Sequence, residues 1–288
     1  MFMPRKVLEK KLKQILAEDV GQGDVTSEAV VPAALTVEAV VLAKESGVAA
    51  GIEETVIFAE SLELSVKAEV SDGDEVKKGT VILKVSGNAR VILSAERTLL
   101  NLLSRMSGIA TATRRLVEKL RKAKSAAKIA ATRKTAPGLL YFDKKAVVVG
   151  GGDPHRLRLD DMVLIKDNHV AIAGSVENAV KKAKAHGASK KIEAEVTSVA
   201  DAVKAAETGA DIVMLDNFSP KQVRDAVEAL KKAGFFGKVM LEVSGGITEQ
   251  NLLEYASTQV NIISMGALTH SVKALDISLE IICESIVN

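Results

Sequence analysis

The chain has 288 residues, 47% hydrophobic and 26% charged, a balance that suits a globular protein of one large or two ordinary domains. Lys plus Arg total 39 against 37 for Asp plus Glu, and the net charge of +2 excludes a nucleic-acid binder that relies on bulk positive charge. Aromatic content of 3% with no Trp counts against a base-stacking surface, and a single cysteine, Cys283, excludes an internal disulfide and a cysteine-built zinc site. No apolar run approaches the roughly 18 residues of a membrane span. The charged amino terminus lacks a signal-peptide stretch, so the expectation is a cytoplasmic protein with no membrane partner.

Leu8, Leu12, Ile15 and Leu16 share one face of a first helix, which the turn residues of 21–25 end. From about 35 to 91, short β-branched runs separated by Ser46-Gly47 and Asp72-Gly73-Asp74 predict an ordinary sheet. Between 93 and 120, Leu99, Leu102, Leu103, Met106, Ile109, Leu116 and Leu120 recur at helical spacing, with Gly108 as a break between two helices. Arg97, Asn101 and Arg105 fall at i, i+4 and i+8 and read as a solvated stripe. Beyond 128 the chain alternates apolar runs at 128–131, 162–165, 191–196, 211–215, 238–243 and 261–265 with amphipathic helices. Repeated βα units predict parallel strands in an open sheet or a barrel, with 146–149 as a candidate seventh strand. The alternating tail 275–281 predicts a strand that returns to the amino-terminal sheet.

In such architectures the active site forms at the carboxyl ends of the strands. Here those ends run into Thr132-Arg133-Lys134, Lys166-Asp167-Asn168-His169, Glu195, Asp216-Asn217, Ser244-Gly245-Gly246 and Gly266-Ala267. A polar residue after one strand is ordinary loop chemistry, whereas ionisable or glycine-rich groups after all six predict a shared rim. Arg133, Lys134, His155, Arg156 and Lys166 would crowd that rim with positive charge, which is costly unless an anion fills it. Each alone reads equally well as a surface cation; together they read as a multi-anion site. The glycine-containing loops are candidate phosphate grips, because glycine lets backbone N–H groups approach closely. Glu195 and Asp216 suit Mg²⁺ or a developing cation, the alternative being structural salt bridges to lysines. Residues 150–154 read as a flexible turn, Asp160-Asp161 as a cap or loop, and His186 as exposed. His169 and His270 read as rim residues that orient neighbours or touch substrate.

Thr132-Arg133-Lys134-Thr135 with Pro137-Gly138, Gly150-Gly151-Gly152 before His155-Arg156, and Leu164-Ile165-Lys166-Asp167-Asn168-His169 resemble the quinolinate phosphoribosyltransferase family. Further matching motifs are Glu18-Asp19, Gly23-Asp24-Val25-Thr26, Glu96-Arg97-Thr98, Ser107-Gly108-Ile109-Ala110-Thr111, Leu215-Asp216-Asn217, Ser244-Gly245-Gly246-Ile247 and Gly266-Ala267-Leu268-Thr269-His270. They run in family order from about residue 12 to 281. The resemblance implies an α/β fold: an amino-terminal open sandwich, 1–110 joined by 270–288, and an incomplete barrel of about six to seven strands, 111–269, with the active site. It implies transfer of phosphoribosyl from phosphoribosyl pyrophosphate to quinolinate with decarboxylation, using Mg²⁺. By motif, Arg97, Arg133, His155, Arg156 and Lys166 would hold the quinolinate carboxylates, with Thr132 in the same strand-end motif. Lys134 would meet the pyrophosphate side, and Glu195 and Asp216 the ribose and metal. Ser244, Gly245 and Gly246, with Met265, Gly266 and Ala267, would take the phosphate. Lys134, Lys166, Glu195 and Asp216 are the catalytic candidates. Arg97 would enter a neighbouring subunit's site, which implies at least a homodimer. The chain departs from the family pattern at Ala136, Leu140 and Arg158. The rivals are a related branch linked to molybdenum transport, which usually lacks Lys-Asp-Asn-His, a Schiff-base lyase using Lys134 or Lys166, and a phosphate-ligand sensor.

Overall fold

The computed structural model describes residues 3–187 and 189–282. Cys283 and the last part of the expected 270–288 return lie outside the described residues. Helix α1 (Arg5–Val20) buries Leu8 and Leu12. Asp24 then accepts from Ser27 N and starts α2 (Val25–Val30). There follow β1 (Thr36–Ala43), β2 (Gly47–Val48), α3 (Ile52–Glu60), β3 (Ser65–Ala68), β4 (Glu75–Val76), β5 (Val81–Asn88) and α4 (Ala89–Lys122). Two expectations are corrected here. Within the stretch read as sheet, Ile52–Glu60 is a helix whose buried positions include Ile52, Ile57 and Phe58, a pattern that short β-branched runs disguise. And α4 runs unbroken through Gly108, where a Cβ would fall 2.1 Å from Lys273 O. That glycine serves the close passage of a second backbone segment rather than a helix break.

The next elements are β6 (Lys128–Ala130) and α5 (Leu140–Val149), so the candidate seventh strand at 146–149 is helical. Phe142, Ala146 and Val147 are all buried in it, and a short apolar run enclosed on most sides carries no period that separates helix from strand. The βα units are β7 (Val163–Ile165), α6 (Asp167–Ala173), α7 (Val176–Ala185), β8 (Ile192–Val196), α8 (Val199–Thr208), β9 (Ile212–Asp216), α9 (Pro220–Lys232), β10 (Met240–Ser244), α10 (Leu252–Ala256), β11 (Ile262–Ser264) and α11 (Ala267–His270). Ser175, Ser198 and Ser219 cap α7, α8 and α9 through side-chain oxygens, each cap contributing about 1 kcal/mol. The tail forms β12 (Ile277–Ile281).

The chain divides into two compact units. The first comprises 1–114, 141–151 and 272–288, so 141–151 groups here although its sequence falls within the span expected for the barrel. Its antiparallel sheet has the order β12-β1-β5-β3, and β12 pairs with β1 from Ala39↔Ile281 to Ala43↔Ile277. The tail therefore returns to the amino-terminal sheet. Buried charges knit α5 into this unit. Arg105 Nε and a terminal guanidinium nitrogen lie 2.7 and 2.8 Å from the two oxygens of fully buried Asp143, so Arg105 is not part of a solvated stripe. Lys145 Nζ meets Glu54 at 2.7 Å and Glu53 at 2.5 Å, filling the acidic cluster of Glu53, Glu54 and Asp72.

The second unit, 115–140 and 152–271, is an incomplete α/β barrel of six parallel strands in the order β6-β11-β10-β9-β8-β7. Pairing of its first strand with its last is what wraps a βα series into a barrel, and the missing β6–β7 pair leaves it open. Ala130 bridges Asp153 at that opening. Among the described residues no helix is long and apolar enough to cross a membrane.

Candidate active site

Side chains alternate along a strand, so every second residue faces the barrel interior. At the carboxyl ends of the strands these residues surround a cavity of about 490 Å³, the size of a small-molecule site. Leu164 and Lys166, Met214 and Asp216, and Glu242 and Ser244 line it as i, i+2 pairs, with Glu195 and Ser264 between them. Every lining residue belongs to the second unit.

One side of the cavity is cationic. Thr132 Oγ1 accepts from Lys134 N at 3.2 Å, and Thr269 Oγ1 donates to Lys134 O at 2.8 Å, which holds the Thr132–Lys134 turn. His169 Nδ1 accepts from Lys166 N at 2.9 Å, which fixes the main chain where α6 begins. Among the described residues Arg133, Lys134 and Arg156 have no ion pair. Burial, and then the nearby Arg133 charge, lower the Arg156 pKa, although a guanidinium stays protonated. Two arginines that repel each other beside an open cavity leave their donors for a ligand.

The other side is acidic. Burial raises the Glu195 pKa, and the charges of Asp216 and Asp167 add to the rise while Lys166 opposes it. Lys166 Nζ lies 3.8 Å from Glu195 Oε2. Asn217, in the left-handed region at φ 57, donates from Nδ2 to Asp216 Oδ2 at 2.6 Å. Gly245 sits against it at φ 93, where a Cβ would fall 2.1 Å from Asn217 Oδ1. Gly245 and Gly246, both at positive φ, therefore follow Ser244 at the end of β10 as a turn that suits glycine. Glu195 and Asp216 offer carboxylate oxygens whose mutual repulsion a bound divalent cation would relieve.

The floor joins the expected His155 to two acids that the sequence reading missed, Glu193 and Glu242. His155 Nε2 lies 3.0 Å from Glu242 Oε2 and 3.3 Å from Glu193 Oε2, and both acids are fully buried. Burial alone would lower the His155 pKa, but the two carboxylates outweigh it and push it up to about 10. Burial in turn raises Glu193, whose oxygens have no hydrogen-bond partner. The available signal was an acid at 193 and another at 242 within strand runs, each two positions before a rim residue and so on the same face. The three donor groups lie close enough to hold a metal, but His155 already bonds Glu242.

Of the expected residues, the cavity gathers Thr132, Arg133, Lys134, His155, Arg156, Lys166, Glu195, Asp216, Ser244, Gly245 and Gly246. It does not gather Met265, Gly266 or Ala267: Met265 is buried, its N donating to Ala130 O at 2.9 Å. Arg97 is exposed on α4 in the first unit. Residues 150–152 form a turn, Asp161 accepts from Leu157 N and Arg158 N in a loop, and His186 is exposed. Arg158 pairs with Asp160 at the surface.

The sequence patterns of the quinolinate phosphoribosyl transferase N-terminal and C-terminal domains match residues 24–107 and 109–280. The probable nicotinate-nucleotide pyrophosphorylase (carboxylating) of Methanothermobacter thermautotrophicus is 46% identical over 271 residues, covering 94% of this chain and 97% of that protein. A chloroplastic nicotinate-nucleotide pyrophosphorylase (carboxylating) of Arabidopsis thaliana is 43% identical, covering 96% of this chain and 84% of that protein. The solved nicotinate-nucleotide pyrophosphorylase of Francisella tularensis superposes with a TM-score of 0.89 at 36% identity, over 98% of each chain. With both domain patterns present in order and relatives aligned almost end to end, the chain belongs to the quinolinate phosphoribosyltransferase family.

Proposed function

We propose that the chain transfers the phosphoribosyl group of phosphoribosyl pyrophosphate to quinolinate with loss of CO₂, giving nicotinate mononucleotide and pyrophosphate. The observation that carries this reading is a cavity with unpaired Arg133, Lys134 and Arg156 on one side and Glu195 and Asp216 on the other. A simple anion sensor has no use for the two acids. A Schiff-base lysine needs apolar surroundings, whereas Lys166 stands beside Glu195 in a polar cavity. Magnesium as the metal, a homodimer in which Arg97 completes a neighbour's site, and a cytoplasmic place of action are parts of the same proposal.

Arg133, His155, Arg156 and Lys166 hold the two carboxylates of quinolinate, and the Ser244–Gly246 loop takes the sugar phosphate. The ring nitrogen attacks the sugar carbon as its bond to pyrophosphate breaks, through a transition state with oxocarbenium character. Glu195 and Asp216 stabilise that positive charge, and Lys134 meets the leaving pyrophosphate. Held by Glu195 and Asp216, Mg²⁺ would neutralise pyrophosphate charge. The ring nitrogen, now cationic, accepts the electron pair when the adjacent carboxylate leaves as CO₂, and a proton replaces it on the ring. Incubating the chain with quinolinate, phosphoribosyl pyrophosphate and Mg²⁺ should yield nicotinate mononucleotide, with none formed when either substrate is omitted. Absence of product from the complete mixture would overturn the reading.

A further inference from the structure

His155 carries an arrangement that substrate binding alone does not explain. Its backbone, at φ 53, is fixed by donation from His155 N to Asp153 Oδ1 at 2.7 Å, and Asp153 N donates to Ile129 O at 2.8 Å. Those bonds set the main chain and leave the ring free to turn. The ring is held elsewhere. Nε2 is 3.0 Å from one oxygen of Glu242, and the other oxygen accepts from Ser264 Oγ on the adjacent strand. Glu193 cannot provide the same direction, because its oxygens make no hydrogen bond although one lies 3.3 Å from Nε2. With Nε2 committed to the floor, Nδ1 is the ring's remaining donor, and His155 lines the cavity.

We propose that Glu242, braced by Ser264, is a positioning residue that locks the His155 ring so that Nδ1–H donates to a substrate carboxylate. This rests on reading the cavity as a site for an aromatic dicarboxylate. The chain Ser264–Glu242–His155 links two barrel strands to the loop after the glycine turn, so the donor's direction is set before the substrate arrives. Glu242 and Glu193 beside Nε2 favour the doubly protonated ring, and with Nε2–H held by a carboxylate the second N–H, on Nδ1, is a donor of fixed orientation. Preorganisation of this kind lowers the ordering cost of binding.

The test is steady-state kinetics on the full chain with Glu242→Leu, Glu242→Gln, His155→Ala and the Glu242→Leu/His155→Ala pair. Glu242→Leu should raise the quinolinate KM about tenfold and leave the phosphoribosyl pyrophosphate KM within about twofold. Glu242→Gln should recover most of the loss, since its amide oxygen accepts the Nε2–H bond and its amide nitrogen reaches Ser264. Glu242→Leu should add nothing in the His155→Ala background. Additive losses, equal impairment by Leu and Gln, or a matching rise in the phosphoribosyl pyrophosphate KM would overturn the proposal. If Glu242→Leu fails to fold, Ser264→Ala decides it: a smaller rise in the quinolinate KM, abolished by His155→Ala, supports the brace, and a rise that persists contradicts it. An unmodified chain that does not consume quinolinate would overturn the substrate reading itself, which separates the two failures.

Discussion

Lys166 Nζ stands 3.8 Å from Glu195 Oε2, where the cationic and acidic halves of the cavity meet. That separation is too long for a hydrogen bond, so the lysine and the carboxylate balance each other's charge while both keep donors and acceptors for a ligand. In the proposed reaction the pair marks a division of labour, with the cations holding the acid substrate and Glu195 with Asp216 acting on the sugar. Glu195→Gln and Asp216→Asn should each lower kcat about a hundredfold or more while changing the quinolinate KM less than about threefold. Steady-state kinetics at saturating Mg²⁺ checks this. A loss confined to quinolinate KM would assign these acids to the wrong substrate.

The floor of the cavity has a pH signature. His155 goes from an ordinary 6.5 to about 10 in the fold, so the folded state holds its proton more tightly. The stabilisation from the charged ring is therefore complete below about 6.5 and is lost as pH rises through about 10. Comparing the chain with His155→Gln by thermal unfolding, the Tm gap should be widest near pH 6 and should close above pH 10. A gap that widens with pH would mean that the ring is neutral in the fold.

Arg105 and Asp143 test the first unit. Asp143 is fully buried, and Arg105 meets both its oxygens. Arg105→Leu leaves a buried carboxylate without its guanidinium and should destabilise the chain by about 3–5 kcal/mol. Arg105→Leu/Asp143→Leu should recover part of that loss, because removing both charges is cheaper than orphaning one. Denaturant unfolding measures each variant, and a single variant within about 0.5 kcal/mol of the parent would contradict the pairing.

The contrast between Arg105 and the barrel explains what the sequence could reveal. The strands of the second unit were legible because amphipathic helices separate the apolar runs, three of them opened by serine caps at Ser175, Ser198 and Ser219. The rim was legible for the same reason: once the strands are placed, Thr132, Lys166, Glu195, Asp216 and Ser244 follow at their ends. Glu193 and Glu242 were hidden because an acid inside a strand run reads as a surface position until the barrel curls it inward. The helical state of 146–149 was hidden because Ala146-Val147-Val148-Val149 has strand composition, and burial of Ala146 and Val147 beside exposed Val148 is too short a pattern to give a period. Arg105 reads as solvated on its own helix, and only Asp143, 38 positions away, gives it a partner.

The proposed homodimer with shared sites makes a sharp prediction for Arg97, which is exposed on α4. Arg97→Ala and Arg133→Ala chains should each be nearly inactive, and mixing them under subunit exchange should restore activity. A mixed dimer has one site with Arg133 from one chain and Arg97 from the other. No recovery, with exchange confirmed independently, would rule out the shared site.

The most direct test follows the carbon that leaves. Quinolinate carrying ¹³C in the carboxylate adjacent to the ring nitrogen is incubated with the chain and Mg²⁺, with and without phosphoribosyl pyrophosphate. Released CO₂ should carry the label and should match nicotinate mononucleotide mole for mole, with none evolved when phosphoribosyl pyrophosphate is absent. Labelled CO₂ released without phosphoribosyl pyrophosphate, or nucleotide that keeps the label, would contradict a mechanism in which bond formation at nitrogen precedes decarboxylation.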